Sequence, residues 1–342
     1  MNAPTLAGQP VLVIGATGFL GGALARRLAL AEGARVTATG RKQAVGEALE
    51  REAAGGGLRF VQADLAQAGA AEAACAGQAI VFHCAGLASP WGRYADFYRA
   101  NVTATENVIR GCAAAGGRLV YVSTPSLYFA DQPRLNVAES DALPARQVTH
   151  YAATKLLAEQ AVDRAVAGGL SAITIRPRAL FGPRDTTIMP RLVRQMERGR
   201  LRIIGQGDNQ ADLTFVDNVV DALLLCATAP AAALGCKYNI SNGEPVRLWQ
   251  VVAELCAALG YDAPRQHVPL PAAMALATAA EWTHSLLRRK GEPVLTRQAV
   301  RALALDSTLD IRAARRDLGY APGVSVAEGL RRFVEWWKAG QP

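Results

Sequence analysis

The stretch Pro10-Val11-Leu12-Val13-Ile14-Gly15-Ala16-Thr17-Gly18-Phe19-Leu20-Gly21 decides the fold of this chain. Its first five residues form a short apolar run that predicts a buried β-strand, and an amphipathic pattern that predicts a helix continues to about Ala31. The three glycines, spaced G-x-x-G-x-x-G, lie where strand passes into helix. There the first glycine permits a tight turn, the second lets backbone approach a pyrophosphate, and the third allows close packing of helix on strand. This context favours a dinucleotide-binding loop over a flexible turn.

Further apolar runs predict that strands and helices alternate along the first half of the chain. The predicted strands are Arg35–Thr39, Leu58–Ala63, Ala79–His83 and Arg118–Val122. Such alternation predicts an α/β fold with a doubly wound parallel sheet, the Rossmann fold, and ligands at the carboxyl ends of the strands. After Pro183 the alternation weakens. We therefore expect 1–183 to form a dinucleotide-binding domain, with additional core elements from 205–245, and 184–342 to form mainly a smaller, mostly helical substrate-binding part.

The composition excludes several classes of protein. The 342 residues carry a formal net charge of +8, but the arginines are scattered and no basic segment is interleaved with aromatics, so no nucleic-acid partner is expected. An anionic small ligand accounts for part of the charge. Six cysteines without C-x-x-C spacing and four dispersed histidines indicate neither a metal site nor a disulfide framework. We find no signal peptide and no apolar run near the roughly 20 residues that span a bilayer, and expect a cytoplasmic protein.

Three predicted strand ends carry candidates for cofactor binding. The second strand ends in Gly40-Arg41-Lys42, where a chain that binds NAD normally has an acid for the ribose 2′-hydroxyl. Two cations there suit a 2′-phosphate and favour NADP over NAD, although they could instead simply face solvent. Asp64, followed by Leu65, could reach the adenine amino group or could cap a helix. Small residues at Cys84-Ala85-Gly86 let the backbone run beside the cofactor, while His83 is expected to pack as an ordinary strand residue.

Tyr151 and Lys155 lie four residues apart in a predicted helix and therefore share one face. An ammonium one turn away favours the phenolate, so we expect the pKa of Tyr151 to fall from about 10 towards neutrality. Such a phenol can exchange a proton with a substrate oxygen, although the same spacing also occurs on ordinary solvated helix faces. One hydroxyl of the cluster Ser123-Thr124-Pro125-Ser126, which ends the fifth predicted strand, could share that oxygen with Tyr151.

Two further segments are candidates for substrate contact. Leu87–Phe97 is too irregular for a regular element and is expected to leave the sheet at the edge that carries the glycine loop, where Trp91 could contact substrate or anchor the loop. The apolar stretch Leu270–Leu287, with Trp282, precedes Arg288-Arg289-Lys290. It could be a lid over a hydrophobic substrate with peripheral membrane contact, but a buried helix with a solvated end is the favoured interpretation.

The chain resembles the extended short-chain dehydrogenase/reductase superfamily almost from end to end. The motifs that carry the resemblance are Gly15-x-x-Gly18-x-x-Gly21, Asp64-Leu65, Asn101–Asn107, Ser123–Tyr128, Tyr151-x-x-x-Lys155 and Arg176–Pro183. The pattern from Asn209 to Val220 and the loop Ser89–Tyr98 resemble the branch of 3β-hydroxysteroid dehydrogenases and 2-alkyl-3-oxoalkanoate reductases. Nucleotide-sugar epimerases and dehydratases usually have Arg immediately before Asp212, where this chain has Ala211.

The resemblance implies roles for individual residues. Tyr151 is the acid/base, Lys155 lowers its pKa and holds the nicotinamide ribose, and Thr124, counted back from Tyr128, hydrogen-bonds the substrate oxygen. The residues expected to bind the cofactor are Gly15, Thr17, Gly18, Phe19, Leu20, Gly21, Arg41, Lys42, Asp64, Leu65, Cys84, Ala85, Gly86, Ser123, Tyr151, Lys155, Pro177 and Leu180. The candidates for substrate contact are Trp91 and Ser126.

The leading hypothesis is an NADP(H)-dependent oxidoreductase that interconverts a ketone and a secondary alcohol by hydride transfer on a hydrophobic substrate, such as a steroid or a long-chain 3-oxo acid. One alternative is a nucleotide-sugar epimerase or dehydratase, which would retain NAD. Another is a non-catalytic dinucleotide sensor. Family members commonly pair the helices that start near Asn101 and Tyr151 across a two-fold axis, so a homodimer is expected.

Overall fold

A seven-stranded parallel sheet forms the centre of the computed structural model, which describes residues 5–130, 132–287 and 291–340. The strands in chain order are β1 (Pro10–Ile14), β2 (Arg35–Gly40), β3 (Leu58–Gln62), β4 (Ile80–His83), β5 (Arg118–Val122), β6 (Arg134–Val137), β7 (Ala172–Pro177), β8 (Leu180–Phe181), β9 (Ile203–Ile204), β10 (Gln210–Ala211), β11 (Thr214–Phe215), β12 (Lys237–Ile240), β13 (Val246–Arg247), β14 (His267–Val268) and β15 (Ser307–Leu309).

Helices connect these strands. The α-helices in chain order are α1 (Phe19–Leu30), α2 (Gln43–Glu52), α3 (Ala70–Cys75), α4 (Tyr94–Phe97), α5 (Ala104–Ala115), α6 (His150–Ala167), α7 (Met189–Glu197), α8 (Val216–Thr228), α9 (Leu248–Leu259), α10 (Leu270–Leu286), α11 (Arg297–Ala304), α12 (Arg312–Leu318) and α13 (Val326–Lys338). A π-helical turn, Tyr98–Thr103, joins α4 to α5, and 3₁₀ turns cover Pro125–Tyr128 and Ala231–Ala233.

The strand order of the central sheet is β12-β7-β5-β4-β1-β2-β3. Every neighbouring pair in it is parallel. The chain first builds outward from β1 to β3 and then restarts at β4 on the other side of β1, which creates a crevice at the carboxyl ends of these two strands. The predicted doubly wound sheet is confirmed.

Both faces of the sheet are covered, which explains why its strands are continuous apolar runs rather than alternating ones. On one face α1 and α8 pack together, with Leu24 and Leu223 among the buried side chains. On the other face α3, α5 and α6 pack in a row, with Val108 and Val162 in the core. The seventh strand, β12, follows residue 183, so residues 205–245 contribute both a strand and the helix α8 to this layer.

A second core fills the smaller part of the molecule. It buries Val193, Trp249, Leu255, Val300 and Phe333, which come from α7, α9, α11 and α13. Beside it lies a four-stranded sheet of order β13-β10-β15-β6, whose strands come from widely separated parts of the chain. This sheet joins the smaller part to the carboxyl edge of the central sheet.

The segment after β4 is more regular than predicted. Part of Leu87–Phe97 forms the one-turn helix α4, and the π-helical turn that follows continues directly into α5. The helix expected from Asn101 therefore begins earlier in the chain. Among the described helices, none combines the length and apolar character needed to cross a membrane.

Candidate active site

The glycine loop between β1 and α1 is built by close approach of backbone to backbone. Gly15 has a φ of +85°, and a Cβ there would lie 2.8 Å from the Ala85 backbone. A Cβ on Gly21 would lie 2.7 Å from the carbonyl carbon of Gly15. The turn and packing roles expected of these glycines are therefore present, and they bring Ala85, at the end of β4, against the loop.

The amino end of α1 is open. Gly18 is its N-cap and supplies no side-chain hydrogen bond to the first helical amides, which remain available to an anion. Phe19 and Leu20 begin the helix, and Leu20 is buried in the core, so only its backbone can face a ligand. This side-chain-free cradle at a helix amino end fits the pyrophosphate of a dinucleotide.

The predicted contacts to the adenosine half divide into two groups. Arg41 and Lys42 are exposed at the end of β2, next to Gly40, which packs directly against Thr17. Asp64 is instead engaged within the protein: one carboxylate oxygen accepts from the Ala66 amide at 3.2 Å and the other from Arg99 at 2.6 Å. Asp64 thus orders its own turn and caps no helix, since the N-cap of the next helix, α3, is Gly69. Leu65, the next residue, is buried.

Tyr151 and Lys155 occupy the first turns of α6, which begins at the N-cap Thr149. The ammonium of Lys155 is buried, donates to the Val122 carbonyl at 2.7 Å and lies 4.2 Å from the centroid of the Tyr121 ring. It also approaches Gly86, where a Cβ would lie 4.0 Å from its Nζ. The helix therefore places the lysine at the crevice, beside the ends of β4 and β5.

The electrostatics differ from the sequence-based expectation for Tyr151. Burial raises its pKa above the ordinary value, and the side chain of Thr124 opposes that shift. Burial also lowers the pKa of Lys155 to about 7, partly offset by Glu159. The expected fall of the Tyr151 pKa towards neutrality is thus not seen in the protein alone, because desolvation of the phenol is the largest effect and the Thr124 side chain opposes only part of it.

The hydroxyl cluster after β5 separates into different functions. Ser123 donates to the buried carboxylate of Glu159 at 2.6 Å, so its hydroxyl proton is not available to a cofactor. Thr124 caps the 3₁₀ turn by accepting from the Ser126 amide at 3.1 Å, and its hydroxyl also lies 3.1 Å from the Ser126 hydroxyl. Of this cluster, Thr124 is the side chain that acts on Tyr151, because it opposes the rise that burial causes in the pKa of that phenol.

Two supporting residues were missed by the sequence reasoning. Asn101 accepts from the Leu87 amide at 2.7 Å and donates to Thr154 at 3.0 Å, tying the segment after Gly86 to α6. Glu159 pairs with buried Arg176 as well as with Ser123. Asn101 was visible as part of a quoted motif, but its partners are distant in sequence.

Other predicted residues are packed as follows. His83 is fully buried and bonded to Thr105, and burial lowers its pKa to about 3, in agreement with a packed strand residue. Burial raises the pKa of Cys84 to about 12. Pro177 ends β7 and is buried, and Leu180 lies in β8 beside β11. In the described ranges, no cluster of His, Cys, Asp and Glu could hold a metal ion.

The loop around Trp91 is tied to both α6 and the end of α10. His150 hydrogen-bonds the Gly92 carbonyl at 3.1 Å, and Trp91 makes an edge contact with His284 of α10 at 5.8 Å between centroids. Ser89 donates to Glu292 at 2.8 Å. The loop therefore lies between Tyr151's helix and α10, where a substrate-contacting segment is expected.

The helix α10 is less buried than the favoured interpretation supposed. Ala273, Ala277 and His284 are its buried residues, whereas Trp282 and Leu286 are each 73% exposed. It packs through one narrow face and turns an apolar face outward, so the prediction of a buried helix is wrong for most of its surface. The basic cluster 288–290 lies outside the described residues.

The model of the NAD dependent epimerase/dehydratase family matches residues 11–241. The chain belongs to that family. The matched residues include the central sheet from β1 to β12, the glycine loop and the helix that carries Tyr151 and Lys155.

The curated proteins that this chain resembles include oxidoreductases. A 2-alkyl-3-oxoalkanoate reductase of Stenotrophomonas maltophilia (strain K279a) is 40% identical, over 94% of this chain and 98% of the relative. A decarboxylating sterol-4-alpha-carboxylate 3-dehydrogenase of Homo sapiens is 32% identical, over 94% and 87%. Among solved structures, MoeE5 in complex with UDP-glucose and NAD is 27% identical, with a TM-score of 0.74 over 97% of this chain and all of that one.

Proposed function

We propose that the chain is an NADP(H)-dependent oxidoreductase that interconverts a ketone and a secondary alcohol on a hydrophobic substrate, with Tyr151 as acid and base. The observation that carries the proposal is the buried ammonium of Lys155, which donates to the Val122 carbonyl at 2.7 Å. That bond brings the helix of Tyr151 to the end of β5, two residues before Thr124. The relatives are named as reductases and dehydrogenases of oxo and hydroxy compounds, which supports the same class of reaction.

The residues of this chain would act as follows. In the reducing direction, Thr124 and Tyr151 donate hydrogen bonds to the carbonyl oxygen of the substrate, and the Tyr151 hydroxyl then gives up its proton to that oxygen. Burial keeps this phenol protonated at neutral pH, ready to act as the acid. A bound NADPH supplies the hydride. In the oxidising direction Tyr151 takes up the alcohol proton.

Tyr151→Phe tests this assignment. Removing the phenolic hydroxyl deletes the proton donor, so kcat for a ketone substrate should fall by about 10²–10⁴-fold. The dissociation constant for NADPH, measured by fluorescence titration, should change little, because the ring and the glycine loop remain. Tyr261→Phe, at a phenol that packs against the core of the smaller part, is the matched control and should keep full turnover. A Tyr151→Phe enzyme with wild-type kcat would remove Tyr151 from the mechanism.

The preference for NADP rests on Arg41 and Lys42, two exposed cations at the end of β2 where an acid would favour NAD. The double variant Arg41→Ala/Lys42→Ala should raise KM for NADPH at least tenfold, since each phosphate contact of a charged donor contributes about 1.5–3 kcal/mol. KM for NADH should stay nearly constant. Equal effects on the two cofactors would show that these cations do not bind a 2′-phosphate.

A nucleotide-sugar reaction is the second candidate, favoured by the likeness to MoeE5 bound to UDP-glucose and NAD. Such a reaction consumes no cofactor overall, because an epimerase or dehydratase returns the hydride to its own intermediate. A panel of 3-oxo acids, 3-ketosteroids and UDP-sugars, assayed for net consumption of NADPH, separates the two. Turnover of a UDP-sugar without consumption of added NADPH would overturn the proposed reaction.

A further inference from the structure

Arg178 is a buried cation at the carboxyl edge of the central sheet. Only 6% of its surface is exposed to solvent. Among the described residues it forms no ion pair and no side-chain hydrogen bond, and its buried Nε is without a hydrogen-bond partner. The group most able to compensate the charge within the protein is Asp212, which acts on it electrostatically without being within ion-pair distance. Leaving a charged donor unsatisfied in the interior is unfavourable, so this guanidinium is suited to an anion that arrives from outside.

The position of Arg178 is fixed relative to the catalytic hydroxyls. β5 and β7 are parallel neighbours with Val122 opposite Ile175, so continuing the register puts Thr124 level with Pro177. Arg178 is the next residue, anchored by its amide to the Ile240 carbonyl at 2.9 Å. Its guanidinium lies 5.0 Å from the centroid of the Phe129 ring, which follows directly on the 3₁₀ turn that Thr124 caps.

A narrow cavity lies on this side of the turn. Its lining includes the apolar residues Pro125, Phe129 and Leu309 and the cations Arg134, Arg178 and Arg301. It also includes Asp306, whose carboxylate accepts from the Gln210 amide at 2.7 Å. Arg134 is already engaged, because it donates to the carbonyls of Tyr128 and Ala142 and faces Asp141. The cavity thus combines apolar walls and three cations against one carboxylate, and among the described residues the Nε of Arg178 has no hydrogen-bond partner. Its lining reaches Pro125, the residue after Thr124.

We propose that Arg178 binds the carboxylate of a 3-oxo or 3-hydroxy acid while the neighbouring oxygen-bearing carbon lies at Thr124 and Tyr151. The inference rests on the proposed function and narrows its substrate class to acids. A guanidinium matches a carboxylate through two parallel hydrogen bonds. In such acids a single carbon separates the carboxylate from the reacting carbon, which suits a cation one residue beyond the level of Thr124. Esters and simple ketones of the same length lack the anion and would leave Arg178 unpaired.

The test compares a long-chain 3-hydroxy acid with its methyl ester in the oxidising direction, where the substrate does not lose CO₂. In Arg178→Gln, kcat/KM for the acid should fall by about 100-fold, while kcat/KM for the ester changes by no more than about threefold, as expected for loss of a charged hydrogen-bonded pair. Arg134→Gln, in the same cavity, is the matched control and should affect both substrates alike. Arg178→Lys keeps the charge but not the fork, and should recover part of the acid activity.

The outcomes separate the inference from the function on which it rests. An equal loss for acid and ester in Arg178→Gln would make Arg178 a structural residue and overturn the inference, while leaving the oxidoreductase intact. If Arg178→Gln does not fold, an unchanged ratio of acid to ester in Arg178→Lys would overturn it equally. A wild-type enzyme that oxidises neither compound, or that binds UDP-glucose through Arg178, would overturn the proposed function together with the inference.

Discussion

Lys155 carries an ammonium group into a site where burial works against its charge. Its ordinary pKa of 10.5 falls to about 7 in the folded protein. Between these values the unfolded chain binds more protons than the native one, so on account of this group stability rises with pH from about 7 to about 10.5. Below pH 7 the native lysine is charged and the unfavourable contribution is complete. The residue is thus retained at the expense of stability, as is common at functional sites.

Lys155→Met tests that balance. The variant should melt at a higher temperature than the wild type at pH 6, and its advantage should shrink at pH 9, because each pH unit in this window is worth about 1.4 kcal/mol. Turnover should be largely lost at both pH values. Thermal melts across the pH range measure the effect, and Lys338→Met, at an exposed lysine, is the matched control for loss of a lysine outside the site. An advantage that grows with pH would contradict the buried-ammonium argument.

Burial also explains why the pKa of Tyr151 rises, whereas the sequence predicted that it would fall. The spacing of Tyr151 and Lys155 correctly placed them on one helix face. Whether the pKa of Tyr151 rises or falls depends, however, on how far solvent is excluded from the site. Exclusion of solvent depends on the helices and strands around the site, which are far apart in sequence. Local spacing therefore predicts which groups meet and leaves their protonation to the tertiary structure.

At the scale of the element, the start of α1 depends on the absence of side chains. In an ordinary helix, Gly→Ala stabilises by about 0.8–1 kcal/mol. In Gly21→Ala the sign should reverse, because the new Cβ would lie 2.7 Å from the carbonyl carbon of Gly15, and backbone cannot rotate away as a side chain can. We expect a lower melting temperature and at least tenfold weaker NADPH binding.

Calorimetry and cofactor titration measure both effects. Gly323→Ala provides the comparison, because a Cβ at this position would meet no atom within 4 Å and the backbone there is not left-handed. That variant should retain wild-type cofactor affinity. Wild-type affinity in Gly21→Ala would mean that the loop opens without loss and that its close approach is not required.

The loop that carries Trp91 is the element expected to report on substrate. The loop contacts His150, beside Tyr151, and His284 of α10, so a substrate that moves Trp91 would also affect these two contacts. Trp91→Ala should lower kcat/KM for long-chain substrates by about tenfold or more, as burial of an aromatic ring is worth roughly 1.5–3 kcal/mol. Short-chain substrates should be affected less. Trp282→Ala, on the exposed face of α10, should leave both unchanged, and equal effects of the two variants would argue against a substrate role for the loop.

At the scale of the molecule, the sequence predicted the parts whose signals are local. The run from Pro10 to Ile14 and the glycines after it sufficed for the first strand, turn and helix, and repetition of that pattern predicted the parallel sheet. Strands of two residues, such as β10, contain no period to detect. In the sequence Arg178 is likewise an ordinary residue after a strand. Its buried Nε, which has no hydrogen-bond partner among the described residues, and the adjoining cavity exist only in the folded chain.

The four-stranded sheet has a consequence for how the protein is made. It joins β6 to β15, and Thr308 accepts a hydrogen bond from the amide of Asn136, 172 residues away in sequence. Asp212 is held by the Leu309 amide at 2.6 Å in the same sheet. Contacts of such separation form late in folding, since the intervening loop must close first. During synthesis, the glycine loop and β1–β5 can therefore assemble long before the wall beside Arg178 exists, and the ability to hold a dinucleotide should precede the ability to select a substrate.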